Sequence, residues 1–275
     1  MAISVNTNAG ALVALQNLNA TNGQLEVTQN RISTGLKVAN AKDNGGIFAI
    51  AQKLRGDVRS LDVVSQSLSR VQSLVDVSAA AGQAISDLLI SLKEKALAAT
   101  DTSLDSTSRT ALNEDFKALR DQISTIVNNA SFNGTNLINN STNSVAALAN
   151  ASGSASLTVL DEALQLSGSI VTVTTTEQIN TITNAKAALT AVNASLTNVN
   201  SALARLGTKS KALEIQSNFV TKLSDALTTS IGSLVDADLA KESANLQALQ
   251  VKQQLGVQAL SIANKAPQTI LSFFR

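Results

Sequence analysis

Cysteine and histidine are both absent from these 275 residues. The chain therefore has no thiolate nucleophile, no imidazole base, and neither of the common nitrogen and sulfur metal ligands; no disulfide can form. No catalytic residue, cofactor or metal site is expected. Tryptophan and tyrosine are missing too, and aromatics amount to 2%, all of them the six Phe. A compact globule of this length usually fills its centre with larger rings. A core of Leu, Ile, Val and Ala suits thin layers between long helices better than one deep centre. The only proline is Pro267, so slow X-Pro isomerisation hardly limits refolding. A chain with these absences unfolds and refolds readily, as passage through a narrow conduit would require.

Strong charge of one sign is lacking as well: 21 basic residues face 20 acidic ones, for a net charge of +1. No basic cluster could neutralise a row of phosphates, and few rings could stack on bases, so nucleic-acid binding has no support. No uninterrupted apolar stretch reaches about 18 residues, so membrane insertion is not expected. The opening MAISVNTNAGALVALQ has neither the basic n-region nor the apolar h-region of a cleaved signal peptide, and none is expected.

What is present is helical rhythm in both halves. Leu18, Leu25 and Ile32 recur at seven, with Leu12, Leu15 and Leu36 on or near that stripe, while Asn22 and Gln29 interrupt the seam with polar side chains. Leu54, Leu61, Leu68 and Val75 set a second register, with Val58, Val64 and Val71 beside them. A third segment reads Leu112, Phe116, Leu119, Ile123, Ile126. Ile182, Ala185, Leu189, Val192, Leu196, Val199, Leu203 and Leu206 keep a three-four rhythm, and Leu239, Leu246, Leu249 and Leu260 mark the last segment. Such rhythms favour rod-like helices packed at shallow angles. The end stripes are narrow and broken by Asn and Gln, so an isolated end helix is marginal and gains from many neighbours.

Turn signals divide these segments. Lys42-Asp43-Asn44-Gly45-Gly46 should turn the chain between the first two helices; with no P-loop pattern it reads as a turn and not as a phosphate nest. Thr100–Ser108 reads as a loop leading to an N-cap. Phe132-Asn133-Gly134-Thr135 carries the Asn-Gly hairpin signal. Between residues 139 and 180 Asn, Ser and Thr dominate, and two stretches, Ser156–Leu160 and Ser169–Val173, alternate as half-buried strands do. The expected fold is mainly α: an elongated bundle of long, antiparallel, coiled-coil-like helices with a small β-hairpin region in the middle of the chain.

These residues resemble a known family. Gln29-Asn30-Arg31-Ile32-Ser33-Thr34-Gly35-Leu36-Lys37-Val38-Ala39-Asn40-Ala41-Lys42-Asp43 is similar to the N-terminal signature of bacterial flagellins. Residues 111–138, ending in the Phe-Asn-Gly turn and Leu137-Ile138, look like that family's second outer helix. The C-terminal run from Asp236-Ala237-Asp238-Leu239-Ala240-Lys241-Glu242 to Gln268-Thr269-Ile270-Leu271 resembles its other signature. The resemblance spans nearly everything except residues 139–180. The family's first turn usually continues Ala-Ala-Gly after the Asp, whereas here it reads Asn44-Gly45-Gly46-Ile47-Phe48.

The resemblance implies a short flagellin without large central domains. Residues 1–42 and 235–275 would form the two halves of an inner filament-core domain, and 43–234 an outer helical domain with its β region at about 130–180. It further implies a structural subunit of the swimming filament, exported unfolded by the flagellar type III pathway, secreted and extracellular, with end helices that fold on assembly. The implied partners are other copies of the chain, the export apparatus and chaperone, and hook-associated junction and cap proteins. Leu18, Leu25, Ile32, Leu36, Leu239, Leu246, Leu249 and Leu260 would carry inner-core packing and polymerisation, Asp43, Asn44, Gly45 and Gly46 the hinge between domains, and Phe132, Asn133 and Gly134 the hairpin turn. Where flagellins sensed by the animal innate flagellin receptor carry Arg and Leu, this chain has Ser91 and Lys95, which implies a weak response.

Three other readings fit these residues less well. A hook–filament junction protein shares the architecture, but the continuous match at both ends and the small middle favour the filament subunit. A chemoreceptor-like signalling hairpin would leave the Phe-Asn-Gly turn and the strands behind it unexplained. A zinc peptidase inserted in a flagellin scaffold has no His with which to build its site.

Overall fold

The computed structural model describes residues 7–271, with side chains described to Lys265. Five helices follow in order: α1 (Ala9–Thr34), α2 (Gly45–Ala99), α3 (Ser106–Asn129), α4 (Ile182–Val235) and α5 (Leu239–Leu271), with strands β1 (Ser144–Leu148) and β2 (Ser156–Leu160) between α3 and α4. The chain is mainly α with one antiparallel hairpin, as the rhythm of its apolar residues predicts. It forms two compact units, residues 1–56 with 226–275, and residues 57–225. The expected boundary at 42/43 thus falls inside the first unit.

In the unit of residues 57–225, α2 buries Leu61, Leu68, Val75, Leu89 and Ala96 at intervals of seven or fourteen, with Val64, Val71, Ser78, Ile85, Leu92 and Ala99 as the second row. α4 buries Ala185, Val192, Val199, Leu206, Leu213 and Val220 at strict intervals of seven. A period of 3.5 residues keeps such faces in register through slight supercoiling. The two helices run antiparallel, with Gln72 Nε2 donating to Ser210 Oγ (2.7 Å) and Ser86 Oγ to Asn200 Oδ1 (3.4 Å). They approach closely at Gly82, where a Cβ would stand 2.8 Å from Leu203 Cδ2. An 18-residue window of α2 reaches a mean hydropathy of 1.3; its buried heptad positions account for that apolar character without a bilayer.

α3 starts at Asp105, whose side chain accepts the Ser108 N–H, and adds Phe116, Ile123 and Val127 to the core shared with α2 and α4. Its buried Arg109 donates to the carbonyl of Ala99, left free where α2 ends, and to those of Asp101 and Leu104 in the loop that follows. The Asn133-Gly134 signal is a turn with both central residues at positive φ (50° and 78°) and reciprocal Phe132–Thr135 backbone hydrogen bonds. It does not join two strands. The chain enters it directly from α3, and Asn136 then ties its side chain to Val127 O and Ile138 N, which buries Leu137 and Ile138.

The hairpin pairs β2, at the expected residues, with β1, which the sequence did not announce. Ser169–Val173 is not a strand. Val171 and Val173 are buried and Thr172 exposed, as alternation predicts, but the N–H groups of Thr172 and Val173 are satisfied by Ser195 Oγ of α4 and not by a neighbouring strand.

Just beyond β2, Glu162 takes a bidentate grip on Arg205 (2.7 and 2.5 Å), while the neighbouring Asp161 has a buried Oδ1 without a partner. Burial pushes the Asp161 carboxyl up to about 6 from 3.8, opposed by the Asn140 backbone N–H and reinforced by the adjacent Glu162 charge. The folded state thus binds this proton more tightly than the unfolded chain does. Stability is highest below about pH 4 for this group and falls as pH rises through 6. Because Asp161 is partly exposed, the effect is about 1–2 kcal/mol rather than the full shift. Melting of the 57–225 unit, followed in the full chain, is expected to be higher at pH 5 than at pH 8. Asp161→Asn should raise the pH 8 value and remove most of the difference; an unchanged pH dependence would show that this carboxyl is not responsible.

Candidate assembly surface

α1 and α5 form an antiparallel pair in the first unit. Asn8 opens α1, its Oδ1 accepting the Ala11 N–H, and Gly35 closes it at φ 70°, a left-handed cap that suits glycine. Asp238 caps α5, its Oδ1 accepting the N–H groups of Ala240 and Lys241. Cross-pair contacts run the length of the pair: Asn8 Nδ2 to Ala263 O (2.7 Å), Gln253 Nε2 to Asn22 Oδ1 (2.8 Å), and Arg31 Nη1 to Glu242 Oε1 (3.0 Å). A Cβ at Gly256 would stand 3.2 Å from Leu18 Cδ1, so the backbones come close there. At the base, Leu36 bridges Asp236, and Lys37 and Val38 donate to Val235 O, which closes a small core of Val38, Ala51 and Val235.

The seam brings together most of the residues that the spacing singled out. Leu18, Leu25, Ile32, Leu246 and Leu260 are half-buried between the helices, Leu36 is half-buried against the small core, and Leu249 is buried. Leu239 is 49% exposed: it is the first residue of α5, and Glu242, paired with Arg31, holds the seam position one turn on. The alternate seam positions of α1 are Thr21 and Thr28 rather than Asn22 and Gln29, which are exposed. The apolar stripe advances by three residues from each leucine, not four. Residues 268–271 of the C-terminal signature lie in α5, but their side chains fall outside the described residues.

The four expected hinge residues form a capped helix start. Asp43 Oδ2 accepts the N–H groups of Ala39 and Asn40, Asn44 Oδ1 accepts that of Ile47, and Gly45 and Gly46 begin α2. Phe132, Asn133 and Gly134 belong to the other unit.

The two units differ in how much apolar surface they hide. Among the described residues the first unit buries only Val38, Ala51, Val235 and Leu249 as hydrophobics, and leaves Leu12, Val27, Val251, Leu255, Val257 and Ile262 between 45% and 70% exposed. Of these outward residues the spacing singled out only Leu12, which it placed on or near the first stripe and which the structure leaves exposed. A signal for them exists: α1 contains only Glu26 and Arg31 as charges, and residues 243–264 only Lys252. A solvated helix surface normally carries far more charge, and depletion of charge is a mark of interface cores. Among the described residues no group of acidic side chains could hold a metal ion.

Comparison with known proteins agrees with this layout. Residues 5–143 match the bacterial flagellin N-terminal helical region, and residues 189–274 the bacterial flagellin C-terminal helical region. Flagellin FljK of Caulobacter vibrioides is 51% identical over 99% of this chain and 98% of its own length. A flagellin of Brucella melitensis is 36% identical over 99% of each. The crystal structure of Bacillus cereus flagellin is similar over 56% of this chain and 86% of that one, with a TM-score of 0.49 and 20% identity. The family match and the two curated flagellins do not favour the hook–filament junction alternative.

Proposed function

The chain belongs to the bacterial flagellin family, structural filament subunits and not enzymes, and we propose that its α1–α5 pair is the surface through which copies polymerise. The observation that carries this reading is the charge-poor pair, with its seam half-filled and large apolar side chains turned outward. Surface of that kind is stabilised only when other copies cover it. The end helices therefore order fully on assembly, and folding and polymerisation are one step for this part of the chain.

Export of the unfolded chain through the flagellar type III pathway, into an extracellular filament, fits a sequence with no Cys and a single Pro. An export chaperone would cover the same exposed stripes before secretion, and hook-associated junction and cap proteins would meet them at the filament's two ends. The test is seeded polymerisation of the purified full chain viewed by electron microscopy. Filaments are expected; a protein that stays monomeric with seeds present would rule the reading out.

The receptor expectation also becomes concrete. Lys95 is engaged with Asp115 (2.6 Å) and Ser91 Oγ donates to Asp87 O, so neither residue offers the Arg and Leu that sensed flagellins carry. A reporter assay with pure protein is expected to give a weak response, and a potent one would overturn this.

A further inference from the structure

Asparagine is followed by glycine three times, at Asn22-Gly23, Asn44-Gly45 and Asn133-Gly134. Glycine has no Cβ to shield its peptide nitrogen, so this dipeptide is the one most open to attack by that nitrogen on the asparagine side chain. At two of the three the structure withholds the reacting groups. Gly23 lies inside α1, where its N–H belongs to the helix ladder, and Asn22 Oδ1 accepts from Gln253 Nε2 (2.8 Å). Asn44 Oδ1 accepts the Ile47 N–H (3.0 Å), its carbonyl accepts the Phe48 N–H (2.9 Å), and Gly45 starts α2. Asn133-Gly134 is different. Both residues are exposed, and among the described residues neither the Asn133 side-chain amide nor the Gly134 N–H has a hydrogen-bond partner. A Cβ at Gly134 would meet nothing within 4 Å, so the space beside that nitrogen is open. The reciprocal Phe132–Thr135 bonds flank the pair without using its reacting atoms.

We propose that Asn133 is a self-modification site, which converts to a carboxylate through a cyclic imide. The Gly134 nitrogen attacks Asn133 Cγ. The new N–Cγ bond forms, the Cγ–Nδ2 bond breaks, and the departing amide takes the Gly134 proton and leaves as ammonia. Water then opens the ring. Attack at Cγ leaves an ordinary aspartate; attack at the backbone carbonyl carbon leaves isoaspartate, in which the chain runs through the side chain and gains a methylene. Either product carries a negative charge that the turn lacked. It appears in the lining of a groove of about 200 Å³ whose one charged residue, among those described, is Arg70. Arg70 is exposed and has no ion-pair partner among the described residues, so it supplies the counter-charge. The isoaspartate form also lengthens a turn whose central residues sit at φ 50° and 78°, and cannot keep both Phe132–Thr135 bonds. A copy thereby acquires with age a mark that a new copy lacks.

Peptide mapping by mass spectrometry, with isoaspartyl methyltransferase labelling, follows every asparagine of the full chain as it ages in buffer. In the native monomer, conversion at position 133 is expected to be at least about tenfold faster than at any other asparagine of residues 57–225. Asn133→Gln should abolish that labelling with unchanged circular dichroism, because glutamine forms the ring far more slowly. In seeded polymer, where the end helices order on the filament reading, Asn22 and Asn44 should lag Asn133 by the same margin. A native chain that stays unmodified at 133, yet converts there once unfolded in urea, would overturn the proposal. So would Asn22 and Asn44 keeping pace with Asn133 in the polymer. Failure of the wild-type chain to polymerise would instead overturn the filament reading, and the monomer result alone would then decide this one.

Discussion

Leu246→Ala is expected to abolish filament formation while residues 57–225 stay folded, and Leu25→Ala to do the same. Both side chains are half-buried in the α1–α5 seam, so each truncation removes apolar contact and leaves a gap, at the low end of the roughly 2–5 kcal/mol range for such changes. The loss falls on a unit with four buried hydrophobics among its described residues and little stability to spare. It also recurs in every subunit of a polymer built through this seam. The 57–225 unit has its own core and shares neither residue. The expected outcome is a protein with the proteolytic core and melting transition of the wild type that does not elongate seeds. Normal filaments from both variants would show that the seam is not needed for assembly.

Phe116→Ala acts on the other unit, and its effect is the largest expected on stability. Phe116 is fully buried in the cluster that joins α2, α3 and α4, and among the described residues it is the only aromatic side chain there. Truncation of a buried Phe costs about 3–5 kcal/mol, against a typical domain stability of about 5–15 kcal/mol. The unit should melt far lower and become cleavable within residues 57–225. Phe219 provides the internal control: it is 55% exposed, and Phe219→Ala should change stability by no more than about 0.5 kcal/mol. Equal losses from the two substitutions would mean that the core is not where the burial places it.

Much of the fold is legible in the sequence because long heptad helices announce themselves. Leu61, Leu68 and Val75, or Val192 and Val199, repeat at a spacing only a packed helix face explains, and the structure extends both ladders. The middle of the chain is less readable because alternation reports burial and not pairing. Ser156–Leu160 found a partner strand, whereas Ser169–Val173, with the same pattern, found the Ser195 hydroxyl instead. Its partner β1, Ser-Val-Ala-Ala-Leu, has too little contrast between its faces to stand out. The Asn133-Gly134 dipeptide specified the turn's backbone correctly but not what the turn connects, which α3 decides.

The candidate assembly surface was half legible for a related reason. Periodicity finds apolar stripes, and α5 has two, Leu246–Leu249–Leu260 toward α1 and Val251–Leu255–Ile262 away from it. The sequence does not say which stripe faces its own chain; that depends on α1, far away in sequence, which takes the first. The shortage of charge along both helices was the available sign that neither stripe is meant for water.

We propose that the two chain ends are completed by other copies. Limited proteolysis of the same full-length protein, as monomer and as seeded polymer, tests it most directly. Cleavage confined to residues 1–56 and 226–275 in the monomer, with those sites protected in the polymer, is the predicted result. Ends as resistant in the monomer as in the polymer would contradict it.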